Sequence, residues 1–460
     1  MVRNRFDAAV RAHYHLCFRC GRTPDAETKD HTMSATRLIF AVFMAQLLAQ
    51  IGAYTVPALL PIFISEWQLT NTEAGWLTGM WAASYVCAVP ILVSLTDRID
   101  PRRLYLICVT LTTLTHLGYA FLAEGFWSAL FLRALAGMAW AGCYMPGLKV
   151  LSDRLEGTAQ TRGVSWHAAG VGFSGALSFL FAGTIASFAP WPWVFGGASI
   201  CTMGAFLIMA FAVPGQPAKP ATAPGAPVHD RPPLFDFRPV LRNRSALAYA
   251  IGYGAHCWEL FTLRSWGVTF LTFTAVAWGG GEGLLAPTSI AFAMGVLGTW
   301  SSVGGNEMCI RFGRQRVVLA VMAVAMIFAL GIGWAAAVGY GLAVALCLMY
   351  NVAVYADSSA LTAGTSGSAE PGRRGATLAV HSTIGYIGGF LGPLVFGIVL
   401  DLAGGAGVTG WVLAFGHLAI IMPLGIAAFL FLRPYDLPGD RPVNGLRDAE
   451  EADKDKSNPA

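Results

Sequence analysis

Charge is what this sequence has least of: 12% of its 460 residues are Asp, Glu, Lys or Arg against 55% hydrophobic, with a mean hydropathy of +0.56. Soluble domains carry about 25% charged residues, so a water-soluble fold of this length is excluded and the surplus apolar surface must face lipid. The net charge of +4 is too thinly spread to form the basic face that a nucleic acid requires. No G-x-x-x-x-G-K-[ST] loop is present, which excludes ATP hydrolysis by that route. H-E-x-x-H, G-x-S-x-G and paired acidic motifs are missing as well, so nothing points to an enzyme.

Metal ligands are scarce too. Of nine cysteines, seven (Cys87, Cys108, Cys143, Cys201, Cys257, Cys309, Cys347) lie in apolar stretches and read as small core residues. The other two form Cys17-Phe-Arg-Cys20 beside His13 and His15, half of a zinc site at best. No second C-x-x-C or H-x-x-x-H follows, so no metal or other cofactor is expected and the stretch reads as an arginine-rich leader. A secretory signal is not evident, because the first apolar segment is too long and lacks a small-residue cleavage site. Met33 stands just before that segment and is an alternative start for the chain.

What the sequence does have is apolar segments long enough to cross a bilayer, about 20 residues each. Twelve are counted: 38–63, 74–95, 104–123, 126–150, 164–188, 192–213, 246–276, 287–309, 317–336, 339–363, 376–400 and 411–432, the long seventh being tilted or broken. Among the loops between spans, one alternate set carries all the arginines: Arg98, Arg102 and Arg103; Arg154 and Arg162; Arg311, Arg314 and Arg316; Arg373 and Arg374; and the longer linker adds Lys219, Arg231, Arg238, Arg242 and Arg244. The opposite loops hold only acids, glycines and aromatics, so by the positive-inside rule both termini and the basic loops are cytoplasmic. Trp67, Trp76, Trp127, Trp191, Trp193, Trp278, Trp334 and Trp411 fall near the outer ends, as an interfacial belt would.

The Pro- and Ala-rich stretch 214–240 cannot pack a core and divides the spans six and six. The organisation is a leader (1–36), a six-helix half (37–213), a cytoplasmic linker (214–245), a second half (246–433) and a solvated tail (434–460). An internal repeat supports the division. Arg98 and Arg103 recur as Arg311 and Arg316 at an offset of 213, and His167, Gly175, Leu177 and Gly183 recur as His381, Gly389, Leu391 and Gly397 at an offset of 214. Same-sense halves of six spans are related by an axis along the membrane normal. The fold class is therefore all-α integral membrane, with twelve transmembrane helices in two pseudo-symmetric six-helix halves.

From residue 37 to 433 the sequence resembles the major facilitator superfamily. Its loop motif G-x-L-A-D-R-x-G-R-R is matched by Leu95, Asp97, Arg98 and Arg102, with Val93, Asp100 and Pro101 departing. The second copy matches at Arg311, Gly313 and Arg314 but has Ile310 at the acidic position, and R-x-x-x-G is matched by Arg133 and Gly137. The resemblance implies alternating access, a cytoplasmic gate role for Asp97 and its neighbours, and a proton-coupling role for Arg133. The antiporter glycine-proline pattern of the fifth helix is not matched by Gly170 to Gly175; Gly392-Pro393 occurs instead in the eleventh.

A charge at bilayer depth costs at least ~2.5 to 3.5 kcal/mol on insertion scales, so each buried one is paired, hydrated or functional. Arg133, Glu259, Arg264 and Asp357 qualify. Glu259 and Arg264 lie about 140° apart around their helix, so each needs a partner elsewhere. The arginines can hold an anionic group or carboxylate, and Asp357 can attract a cation or carry a proton. His256, on the same helix face as Glu259, can shuttle a proton with it. His167, His381, Gln46, Gln50, Tyr144, Asn351 and Tyr355 are further candidates to line a polar cavity. The alternatives are structural: buried ion pairs, snorkelling arginines and interhelical hydrogen bonds. For Arg102, Arg103, Arg311, Arg314 and Arg316, setting topology and touching lipid headgroups is the favoured role.

Together these readings give a monomeric secondary transporter of the plasma membrane, a bacterial inner membrane by expectation. It moves a small anion or carboxylate in symport with protons, its partners being that substrate, protons and membrane lipids. Drug or metabolite efflux and a non-transporting sensor are the alternatives. The topology is checked by an impermeant maleimide on intact cells in a cysteine-free background: Glu124→Cys should label from outside and Arg103→Cys should not.

Overall fold

Hydrocarbon offers the backbone no hydrogen-bond partners, so a crossing chain must close its N–H and C=O groups within each segment. The computed structural model describes residues 34–96, 99–215, 237–438 and 440, and among them it contains helices and no strand. The first half comprises α1 (Ala35–Gln50), α2 (Thr55–Glu66), α3 (Asn71–Leu95), α4 (Pro101–Leu122), α5 (Phe126–Ser152), α6 (Gly157–Ala186) and α7 (Pro192–Leu207), the last ending in a π-helical turn, Ile208–Ala212. A short α8 (Arg238–Arg242) leads into the second half: α9 (Arg244–Trp278), α10 (Pro287–Phe312), α11 (Arg314–Ile332), α12 (Tyr340–Ala356), α13 (Ser358–Gly367), α14 (Arg374–Leu402) and α15 (Val408–Leu432).

Joining α1 to α2 and α12 to α13 as single broken spans gives six crossings in each half. Eleven are long and apolar enough to cross a membrane by length and composition. The remaining one, α10, has 26 residues but is diluted by glycine, serine and threonine, which lower its hydropathy. The seventh span is an unbroken helix of 35 residues, about 52 Å at 1.5 Å per residue. Its start is set by Asn243, whose side chain accepts from the Ala246 amide at 3.0 Å. Asp100 caps α4 in the same way ahead of Pro101.

The first span, expected to be continuous, is interrupted at Ile51–Tyr54. Pro57 supplies the reason: it has no N–H to give the carbonyl of Ala53, four residues back, and its ring crowds that oxygen. The tenth span is interrupted at Asp357. There α10 comes in from the side, with Ser301 Oγ donating to the Val352 carbonyl at 2.6 Å and the Ser359 amide donating to Ser302 Oγ at 3.2 Å.

Lipid tails are as apolar as leucine, so helix association rests on close packing. The halves meet where α3 packs on α14, α6 on α10 and α2 on α9. Within the second half α9 and α14 approach so closely that a Cβ on Gly388 would lie 2.3 Å from the Gly254 carbonyl oxygen.

Two expectations require correction. Trp411 is not an interfacial belt residue: it is fully buried, with Phe270 at 5.1 Å and Phe396 at 6.0 Å. Trp127, Trp193, Trp278 and Trp334 are exposed. The tail also does not leave the fold at Arg433: the Tyr435 amide donates to Ser245 Oγ at 2.8 Å, and Asp440 is tied to Arg314. The Cys17–Cys20 pair with His13 and His15, most of the linker (216–236) and residues from 441 on lie outside the described residues.

Replacing Gly388 by Val puts atoms where a backbone oxygen already lies. Overpacking of this kind costs about 1–3 kcal/mol, so the variant should melt at a lower temperature than wild type in detergent; an unchanged Tm would contradict the packing.

Candidate substrate and coupling site

The interruption of the first span leaves polar backbone groups open inside the protein, and neighbouring helices close them. Arg133 on α5 donates through Nη1 to the Ala53 carbonyl at 3.2 Å, the Tyr54 amide donates to Ser178 Oγ on α6 at 2.9 Å, and Thr55 Oγ1 donates to the Gly52 carbonyl at 2.8 Å. Arg133 is buried, with its guanidinium 5.8 Å from the Trp81 ring. Its visible work is to hold the kink.

The kink aims Tyr54 across the boundary between the halves. Arg264 on α9 donates through Nη1 to the Tyr54 hydroxyl at 2.6 Å and through Nη2 to the Tyr355 hydroxyl on α12. The guanidinium lies 5.1 Å from the Tyr54 ring and 5.2 Å from the Tyr355 ring. Among the described residues no carboxylate comes within ion-pair distance of it. Arg264, Tyr54, Tyr355 and Asn351 line one cavity between the halves, with Gly175 and Phe179 on the α6 side.

The acids lie deeper in the second half and have partners of their own, as the 140° separation required. Glu259 accepts from the Tyr350 hydroxyl at 2.6 Å, fully inside the fold. His256 Nδ1 stands 2.8 Å from Asp357 Oδ1, at ion-pair distance though not aligned for a straight hydrogen bond. Asp357 occupies the interruption of the tenth span, buried with its histidine and not in an open vestibule. Tyr253 stacks on His256 at 5.5 Å and on His381 at 3.8 Å. His381 in turn contacts Thr365 Oγ1 at 2.8 Å and Thr362 Oγ1 at 3.3 Å. His256 and Glu259 thus share a helix face but face different partners on one neighbouring span.

The first half contributes uncharged groups. Gln46 is buried with both amide atoms lacking a protein partner, and Gln50 accepts from Ser174 Oγ at 3.1 Å while its nitrogen is unpaired. His167 contacts the Tyr144 carbonyl through Nε2 at 3.0 Å and stacks on the Tyr144 ring, leaving Nδ1 unpaired. Asn351, from the other half, donates to the Met294 carbonyl at 2.6 Å. An aromatic cluster spans the boundary beside them: Tyr85 stacks on Tyr386 at 4.1 Å, and Trp81 lies 4.6 Å from Trp140.

Of the gate motif, Asp97 and Arg98 lie outside the described residues. Arg102 donates through Nε to the Met209 carbonyl at 3.0 Å and through Nη2 to that of Ala210, closing the π-helical end of α7. Arg311 forms an exposed pair with Glu307 at 2.7 Å, and Gly313 turns the chain at φ +92°. Arg314 departs from its expected place on the lipid-facing surface. It is buried, bonded to Asp440 through Nε at 2.7 Å and Nη2 at 3.0 Å, and through Nη1 to Asn306 Oδ1 at 2.8 Å and to the Ala360 carbonyl at 3.1 Å. Its acidic partner thus comes from the tail.

Tyr54 and Tyr350 were not among the residues singled out from sequence. Pro57 three positions on was the available signal for Tyr54, since it marks a kink; Tyr350 carried none, because a buried tyrosine reads as core.

Comparison with known proteins places this geometry. Residues 42–393 match the Major Facilitator Superfamily. Among curated proteins, the chain is 23% identical over 235 residues to "Protein spinster homolog 3" of Danio rerio, covering 51% of this chain and 47% of that protein. It is 26% identical over 148 residues to "Probable sphingolipid transporter spinster homolog 1" of Arabidopsis thaliana, covering 32% of this chain and 30% of the relative. The chain thus spans half or less of the length of these curated relatives. Among solved structures, a bacterial homolog of the human lysosomal transporter Spinster, inward-facing and unoccupied, superposes with a TM-score of 0.67 at 15% identity, covering 87% of this chain and 95% of that one. The nucleoside transporter NupG gives 0.68 at 14% identity, with 87% and 99% covered.

Arg133→Met keeps the apolar stem and removes the donor to Ala53. A buried polar group left unpaired costs about 1–3 kcal/mol, so Arg133→Met should lower the Tm measurably while Arg133→Lys recovers part of the loss. Equal Tm values for all three would show that the kink does not need this donor.

Proposed function

The chain belongs to the Major Facilitator Superfamily, and we propose that it is a secondary transporter of the plasma membrane, carrying a small organic anion or carboxylate by alternating access in symport with protons. The observation that carries this reading is Arg264. A half-buried guanidinium that lines the cavity between the halves, held by two tyrosine hydroxyls and no described carboxylate, is placed to take an anion. One of those hydroxyls belongs to the first half and the other to the second, so a bound anion competes with the contacts that join them. Binding and relative motion are thereby linked.

Protons are assigned to the second half. Glu259 with Tyr350, and His256 with Asp357 one helical turn along α9, form two buried titratable pairs on one pair of spans. Moving an anion together with a proton, in either direction, calls for such a titratable group. A lipid-like substrate with an anionic headgroup is the second reading, supported by one relative named a probable sphingolipid transporter and by Phe179, Leu263, Val268 and Met294, which line the cavity beside Arg264.

Proteoliposomes with an imposed pH gradient, offered radiolabelled carboxylates and anionic single-chain lipids, test both. Wild type should accumulate a member of the panel. Arg264→Gln should bind that member at least about tenfold more weakly, since a charged hydrogen bond is worth about 1.5–3 kcal/mol. Glu259→Gln should still exchange substrate down its gradient but no longer accumulate it. Binding without flux would indicate a sensor, and undiminished binding by Arg264→Gln would remove the anion assignment.

A further inference from the structure

Helices α3 and α14 run antiparallel along the boundary between the halves, touching from Asn71 against Gly397, through Gly75 against Pro393, to Tyr85 against Tyr386. Near the arginine-free face the last turn of α14 carries Asp401, and its carboxylate reaches into the first turn of α3. Oδ1 accepts from the Asn71 amide at 3.0 Å and from Asn71 Nδ2 at 2.8 Å; Oδ2 accepts from the Thr72 amide at 2.7 Å and from Thr72 Oγ1 at 2.6 Å.

A helix start leaves its first amides without intrahelical acceptors. Here the supply is divided. Thr70 Oγ1 accepts from the Glu73 amide at 3.1 Å, and Glu73 returns a bond to the Thr70 amide at 2.8 Å, a capping box built within the first half. The Asn71 and Thr72 amides are closed only by the other half's carboxylate among the described bonds. A negative charge at the positive end of a helix is favourable, and charged hydrogen bonds are the strong ones. The carboxylate is only partly buried, so water can take over all four bonds once the halves part.

We propose that Asp401 is a conformational latch, holding the two halves together at the arginine-free face until its four bonds to Asn71 and Thr72 pass to water. The consequence is a bias toward the state closed on that face, set by one side chain remote from Arg264 and from the titratable pairs. The latch rests on the alternating-access reading above but on neither the anion nor the proton assignment, and its test needs no substrate.

Spin labels at Glu124→Cys and Leu284→Cys report separation of the halves at the arginine-free face, and a pair at Arg103→Cys and Gly375→Cys reports the basic face. Distances are read by pulsed electron resonance on the full chain in nanodiscs, with Cys17, Cys20, the exposed Cys87 and the half-buried Cys201 changed to Ser. Asp401→Ala should raise the longer-distance population at Glu124/Leu284 about tenfold while the basic-face pair shortens. Asp401→Asn, which keeps one acceptor oxygen, should shift both pairs less in the same sense. Thr72→Val should do likewise, and these two decide the matter if Asp401→Ala fails to fold. Distributions that match wild type, or that broaden at both faces together, would overturn the latch. A background and variants all confined to one closed population would overturn it along with alternating access, whereas a failed uptake assay with shifted distances would remove only the transport reading.

Discussion

An open backbone carbonyl in the interior of a membrane protein must be given a donor, and the kink at Pro57 creates one at Ala53. Much of the site follows from how that demand is met. Arg133 supplies the donor, Ser178 takes the neighbouring amide, and the chain between them turns Tyr54 out of the helix line toward the second half. Broken helices are tolerated at membrane depth only where protein or water closes the freed groups. Here protein does so, and a buried arginine is retained by the same arrangement.

A second division of labour separates the halves chemically. The first half offers amides, hydroxyls and an imidazole around Gln46, Gln50 and His167, several of them with polar atoms that no protein group satisfies. The second half holds the acids, each already paired: Glu259 with Tyr350 and Asp357 with His256. Arg264 stands between them and bonds to both sides. A buried group with unused hydrogen-bonding capacity is costly unless something fills it.

The site was partly legible in the sequence. Arg133, Glu259, Arg264 and Asp357 stood out because a charge inside an apolar run has to be accounted for. What could not be read was the partner of each. Arg133 meets a carbonyl 80 residues away, Arg264 a tyrosine 210 away, and Arg314 an aspartate 126 away in a segment that composition marked as solvated. Asp401 looked like an ordinary loop acid, and only the approach of α14 to α3 shows it capping another helix. Trp411 was misplaced for a related reason: its position near a span end fitted an interfacial ring, but tertiary packing put it in the core.

By itself the sequence determined the solvent, the number of crossings and the grouping of loop arginines in alternate connections, because these depend on segment length, hydropathy and the spacing of charges along one chain. It determined as well that a few polar residues within the spans needed an explanation. Tertiary structure alone decided which of them touch, where the tenth span breaks, and that a carboxylate from one half completes a helix of the other. Such contacts join residues up to 330 positions apart, and no local pattern encodes them, since a helix fixes the direction of its own side chains but not the identity of the helix that packs against it.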